Sequence, residues 1–182
     1  MEKSTPRAYL QRKCPVNKSH PPQTASRLIN PLTPIRKAML SNKAKYGLKA
    51  LIHLAGHEGV SLAATIAEEN HIPRKFLDAI LLELTKAGIL ASKKGKGGGY
   101  QLARPADAIT AGQIIRILDG PLAPIACASR TAYRPCPDCP DENACAVRDV
   151  MLDVRDSMAL ILDRTSIAAM RARGQRGAAP LR

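Results

Sequence analysis

The chain has 182 residues, one domain with room for an appendage, and 45% of them are hydrophobic, enough for a core and too many for a wholly disordered chain. No uninterrupted apolar run reaches the ~18 residues of a spanning helix, and 3% aromatic residues with no Trp argue against a base-stacking single-strand binder. Lys and Arg number 28 against 15 acids, and the resulting +13 points to a polyanionic partner, nucleic acid before an anionic membrane surface.

Residues 1–38 hold eight bases, one acid and six of the fourteen prolines, with no helical or strand period. They read as a disordered basic extension. No apolar segment resembles a secretory signal, and Met39-Leu40-Ser41-Asn42 reads as a natural chain start. Ser41 is a good N-cap for a first helix over 42–57, on which Ala44, Leu48, Leu51, Ile52 and Ala55 recur at helical spacing. Ser61 is placed to cap a short second helix with Leu62, Ile66 and Ala67, ending near Asn70. Pro73 suits the first position of a third helix, 73–87, which carries Phe76, Leu77, Ile80, Leu81 and Leu84 on one face before Gly88. Two short helices joined by a tight turn make a helix-turn-helix.

Ile89–Lys93 and Tyr100–Arg104 are short apolar runs around a glycine-rich turn, which predicts a β-hairpin. The expected fold is mainly α: a winged helix-turn-helix domain over 39–105 with a small hairpin wing, followed by a long dimerisation helix. Region 106–141 contains a short helix capped by Thr110, bearing Ile114, Ile115 and Leu118, and then a proline- and cysteine-rich loop. Over 142–171, Val147, Met151, Val154, Met158, Ile161, Thr165 and Ala168 step alternately by four and three, the repeat of a coiled-coil seam. A helix of about 28 residues would run about 42 Å. A second copy of the chain is the simplest cover for so long a stripe, so a homodimer is expected. Residues 172–182 read as a second disordered tail.

The helix-turn-helix needs cations for phosphate and a helix end for the major groove. Pro73, Arg74 and Lys75 open the third helix, where the dipole disfavours cations and attracts phosphate. Arg74 or Lys75 can donate to a guanine edge, and Asp78 can accept from a cytosine amino group. The wing adds Lys93, Lys94 and Lys96 beside Gly97, Gly98 and Gly99, whose backbone can approach a sugar–phosphate ridge. Lys43 and Lys45 complete the DNA-binding set. The glycine–lysine run is not a nucleotide-binding loop, because no Gly-Lys-Ser/Thr occurs and a strand follows. His20, His53, His57 and His71 show no metal spacing and no triad, so no enzyme is expected. A basic wing also suits a different class, an adaptor binding RNA or a protein.

Three runs carry a family resemblance: Leu40-Ser41-Asn42-Lys43-Ala44-Lys45-Tyr46-Gly47-Leu48, Ile72-Pro73-Arg74-Lys75-Phe76-Leu77 and Lys94-Gly95-Lys96-Gly97-Gly98-Gly99-Tyr100. Over about 40–170 the chain resembles the IscR/NsrR-type bacterial transcription regulators, the Rrf-two family. The resemblance implies a cytoplasmic homodimer with one winged helix per subunit, bound to imperfect palindromic sites on double-stranded DNA and not to membranes. Many such regulators carry a 2Fe–2S or 4Fe–4S cluster in the loop before the long helix, and others lack it.

Cys127, Cys136, Cys139 and Cys145 are separated by eight, two and five residues. The resemblance implies three cluster cysteines, the last two five residues apart, which Cys139 and Cys145 match. Where some relatives supply a histidine ligand this chain has Arg148, and where others supply an acid it has Lys45. Cys136 is then the natural fourth thiolate. Four thiolates suit an iron–sulfur cluster or Zn²⁺, and Cys136 with Cys139 suits a thiol switch. Arg130, Arg134 and Arg148 are placed to offset thiolate charge, and Pro135, Pro137 and Pro140 stiffen the loop. Cys14 lies in the extension. The charge divides into +7 for 1–38, +5 for 39–104, −3 for 105–170 and +4 for the last twelve residues, so the winged helix is basic and the region after it acidic.

Overall fold

Ser41 starts the first helix as expected, its hydroxyl accepting from the Ala44 N–H at 3.2 Å. It also ties the helix to a distant part of the chain. Its backbone N–H donates to Asp119 Oδ2 at 2.9 Å and its hydroxyl donates to Asp119 Oδ1. The computed structural model describes residues 40–176 except 96 and 140, so the expectations for residues 1–38, 177–182, Lys96 and Pro140 lie outside the described residues, whereas the expected tail from 172 is helical through Gln175. Its helices are α1 (Asn42–Leu54), α2 (Ala63–Glu69), α3 (Arg74–Lys86), α4 (Ala111–Leu118), α5 (Ala146–Arg164) and α6 (Ile167–Gln175). Strands β1 (Leu90–Lys93) and β2 (Gly99–Leu102) pair antiparallel between α3 and α4, with Ser92 opposite Tyr100.

Ser61 does not cap α2. Its N–H and C=O both pair with Tyr100, each at 2.9 Å, so the chain there is extended and forms a third rung of the wing. The helix begins only at Ala63, with no side-chain cap. Pro73 is likewise one position earlier than expected. It is the N-cap of α3, and its carbonyl accepts from the Phe76 and Leu77 N–H groups at 3.0 Å. The turn between α2 and α3 places His71 at φ +52°, and the Ile72 N–H reaches the Ala67 carbonyl at 2.9 Å. Ile72 is thereby turned into the core.

Leu77, Ile80, Leu81 and Leu84 form the buried stripe of α3. Phe76 belongs to a different face. At about 100° per residue it lies beside that stripe, and it is 43% exposed with its ring edge-on to Tyr46, centroids 5.8 Å apart. The core is completed by Leu48, Leu51 and Leu54 of α1, Ile114, Ile115 and Leu118 of α4, and Ile66, Ile89 and Ile109. Gly47 lets α1 and α4 approach closely, because a β-carbon there would overlap Leu118.

The expected 142–171 helix is two helices. Thr165 leaves α5 in extended conformation, with φ −97° and ψ 104°. Its carbonyl accepts from the Ala111 N–H at 2.9 Å, and the Ile167 N–H donates to the Ile109 carbonyl at 2.9 Å. Thr110 and Ser166 thus face one another in an antiparallel bridge. Ser166 then caps α6, accepting from the Ala169 N–H at 3.1 Å. Thr165 and Ala168 accordingly drop out of the apolar seam. The 19 residues of α5 span about 28 Å. No residue of α5 is buried, and Val147, Val150, Val154, Leu160 and Ile161 are exposed along it.

Candidate nucleic-acid interface and cysteine loop

The start of α3 is exposed from Pro73 to Phe76 and again at Asp78. Arg74 Nε donates to Asp78 Oδ1 at 2.9 Å and Oδ2 at 3.2 Å. The two groups expected to read different bases are therefore joined to each other, one helical turn apart, both about half exposed. That pairing fixes the guanidinium over the helix face and leaves its terminal nitrogens as donors. Lys75 is exposed beside it.

Lys43 has another role than the expected one. Its ammonium pairs with Glu83 at 2.7 Å and donates to the Leu118 carbonyl at 3.0 Å. It joins α1 to α3 and to the end of α4, where an unsatisfied helix carbonyl and a carboxylate both attract a cation. Lys45, two residues on, is exposed.

On the wing, Lys93 and Lys94 are exposed at the end of β1. The glycines divide by role. Gly97 has φ +81° and open space around it. Gly98 is buried, and a β-carbon there would strike the Lys93 carbonyl. At Gly99 it would strike the Ser61 carbonyl. Gly98 and Gly99 are thus needed to close the hairpin and seat it on Ser61, while Gly97 leaves bare backbone at the tip.

The cysteine loop leaves α4 at Gly120 and enters α5 at Cys145. Among the described residues its four cysteines are free thiols, Cys127 buried in a 3₁₀ turn (Ala126–Ala128) and the others half-exposed. Cys145 is the N-cap of α5, its sulfur accepting from the Arg148 N–H at 3.5 Å. That N–H, followed by the Cys139 thiol, lowers the Cys145 pKa. Desolvation, followed by the hydrogen bond with Cys145, raises that of Cys139. Arg148 binds the loop to the helix, Nε donating to the Cys127 carbonyl at 3.1 Å and lying 3.8 Å from Glu142. Tyr133 donates its phenol to Glu142, which raises its pKa. Arg155 donates to the Ala128 carbonyl at 2.7 Å. Arg130 faces Asp156 at 3.1 Å and has that carboxylate for a partner, in place of the thiolates expected for it.

The donor chemistry fits an iron–sulfur cluster: four thiols on one loop, one with a lowered pKa at a helix N-terminus. A single tetrahedral zinc is fitted less well. Zn–S bonds of ~2.3 Å hold sulfurs ~3.8 Å apart, and among the described residues no three of these sulfurs lie within 4.8 Å of one another.

A helix-turn-helix, a glycine-tipped wing and an outer helix with an uncovered apolar stripe define a winged-helix transcriptional regulator. Residues 40–173 match the model of the Rrf2 family, described as iron-dependent transcriptional regulators, and the chain belongs to that family. The rrf2-like HTH-type protein of Rhodobacter capsulatus is 41% identical over 141 residues, 75% of this chain and 94% of its own. The solved structure of CymR, the global cysteine regulator of B. subtilis, is 33% identical with a TM-score of 0.62, over 75% of this chain and 98% of that one. The IscR structure from T. potens is 28% identical with a TM-score of 0.61, over 78% and 93%. These relatives are regulators, a non-enzymatic role.

The opposite shifts of the two neighbouring thiols set their reactivity. Alkylation by iodoacetamide, followed by peptide mass spectrometry across a pH series, is expected to rise for Cys145 at lower pH than an ordinary thiol and for Cys139 at higher pH. Coincident or inverted profiles would contradict the capping geometry.

Proposed function

We propose that this protein is a cytoplasmic homodimeric regulator that binds imperfect palindromic promoter sites on double-stranded DNA. Its DNA affinity responds to the state of an iron–sulfur cluster held by Cys127, Cys136, Cys139 and Cys145. The observation that carries the reading is the double use of α5. Its N-terminus is capped by Cys145 and its length exposes Val147, Val150, Val154, Leu160 and Ile161. A change at the cysteine loop therefore acts on the helix that a second subunit would cover. Among the described residues no helix is long and apolar enough to cross a membrane.

The DNA contacts proposed are Lys75 and Arg74 at the start of α3, Lys45 on α1, and Lys93, Lys94 and Gly97 on the wing. Pro73 sets the helix entry, and Asp78 holds Arg74. Lys96, Gly98 and Gly99 complete the wing segment. Two such surfaces, related by the dimer axis, would meet successive major grooves.

A bound cluster supplies a redox-responsive centre that oxidants or nitric oxide can dismantle. The chain's own part is mechanical. Arg148 holds the Cys127 carbonyl and Arg155 the Ala128 carbonyl, so the 126–128 turn is attached to α5, which the loop itself enters at Cys145. Gathering the four thiolates would add a second tie between that turn and the Cys136–Cys145 segment, and losing them would leave only the two arginine contacts. The hydrogen bond between the Cys139 and Cys145 thiols favours the alternative in which these thiols switch without a metal.

Duplex DNA affinity should fall steeply with salt, and replacing Lys75, Lys93 and Lys94 together by Gln should flatten log K against log salt by up to about three units. An unchanged slope would overturn the interface. Ile161→Lys places a charge on the exposed stripe of α5. It should sediment as a monomer with weakened palindrome binding, and a variant that remains dimeric contradicts the subunit contact. Anaerobic purification should give coloured protein with iron and acid-labile sulfide. Cys136→Ala should lose the cluster, as should Cys127→Ala, Cys139→Ala and Cys145→Ala. Colourless, iron-free protein with full DNA affinity would eliminate the cluster.

A further inference from the structure

Away from the cysteine loop, the end of α1 meets the end of α2. His53 lies on α1, His57 four residues on, and Glu69 at the last position of α2. One ligand atom from each lies within 4.8 Å of the other two. The His53 side chain is only 4% exposed, with Nδ1 at 3.4 Å from Glu69 Oε2. Its Nε2 is buried with no hydrogen-bond partner among the described residues. Such an atom is rare in native interiors and calls for a function or a bound group.

The second imidazole is oriented as a ligand would be. His57 Nδ1 lies 2.8 Å from the His53 carbonyl, so it donates there and keeps its Nε2 lone pair free. The two rings stack with centroids 4.0 Å apart. His57 and Glu69 are exposed, so an ion has a path from solvent and both side chains have room to close on it.

We propose that His53, His57 and Glu69 form a binding site for one divalent late first-row transition ion, Zn²⁺ foremost. Two imidazoles and a carboxylate are a donor set for such ions, with water completing the coordination. The ion would clamp α1 to α2 and so fix the helix that supports α3. It is separate from the cysteine loop and contains no sulfur.

The test is metal binding to the purified full-length chain, with Zn²⁺ for stoichiometry and Co²⁺ for spectroscopy. Thiolate-bound Co²⁺ has an intense sulfur-to-metal charge-transfer band, whereas nitrogen and oxygen ligands give only weak visible bands. Wild type should bind one equivalent more than His57→Ala, and Glu69→Gln should weaken that equivalent by about tenfold or more. The charge-transfer band should be unchanged in both. Each replaced side chain is exposed, and circular dichroism checks that the variants fold. Equal stoichiometry in wild type and His57→Ala, or bound Co²⁺ accounted for wholly by thiolate, overturns the proposal.

Discussion

Ile109 and Ile167 are both fully buried, and their backbone groups have no water to bond. They bond to each other, the Ile167 N–H to the Ile109 carbonyl, and the neighbouring Ala111 N–H to the Thr165 carbonyl. This short exchange sets much of the architecture. It ends α5, turns the chain through Ser166 into α6, and fastens both to the entrance of α4. Without it nothing at Thr165 would draw the chain out of the helix that the pattern over 142–171 favours. With it, the base of α5 and the core containing α1, α3 and α4 move together.

Charged groups reinforce the same joints. Arg116 on α4 makes a two-pronged pair with Asp163 on α5, at 2.6 and 2.9 Å. Gly112 makes room for it, since a β-carbon there would overlap the Asp163 carboxylate. Ser41 with Asp119, and Lys43 with Glu83 and the Leu118 carbonyl, hold α1 against α4 and α3. Exposed pairs of this sort contribute little energy singly, roughly 0–1 kcal/mol, but they fix orientation. They also correct the inference from net charge. A lysine beside a DNA-binding helix is not thereby a phosphate contact, and Lys43 is occupied within the fold.

The winged helix was legible because period, caps and turn residues agreed. The stripe Leu77, Ile80, Leu81 and Leu84, the cap at Thr110 and the hairpin around the glycines all follow local rules. What escaped the sequence depended on distant partners. Ser61 has the chemistry of a cap, and only the approach of Tyr100 makes it a strand. Thr165 fits a heptad, and only Ala111 draws it out of the helix. Phe76 is apolar and was read as core, yet its angular position places it on the outer face beside Tyr46. His53 and His57 were read as showing no metal spacing, and Glu69 reaches them from another helix.

The cysteine loop follows the same logic. The family resemblance marked Cys139 and Cys145 as the last two cluster cysteines, and the structure adds why they differ. Cys145 ends a loop and begins a helix, so its sulfur takes an N–H that the helix would otherwise leave unbonded. A thiolate is favoured there, whereas Cys139 is disfavoured as an anion by desolvation and by its neighbour. Any ligand or oxidant that takes the Cys145 sulfur must also compete with its capping role. The chemistry of the thiol and the first turn of α5 are therefore coupled through one atom, and α5 is joined to the winged helix at Thr165 and Asp163. A continuous series of hydrogen bonds thus connects the cysteine loop, through α5, to the core that contains α4.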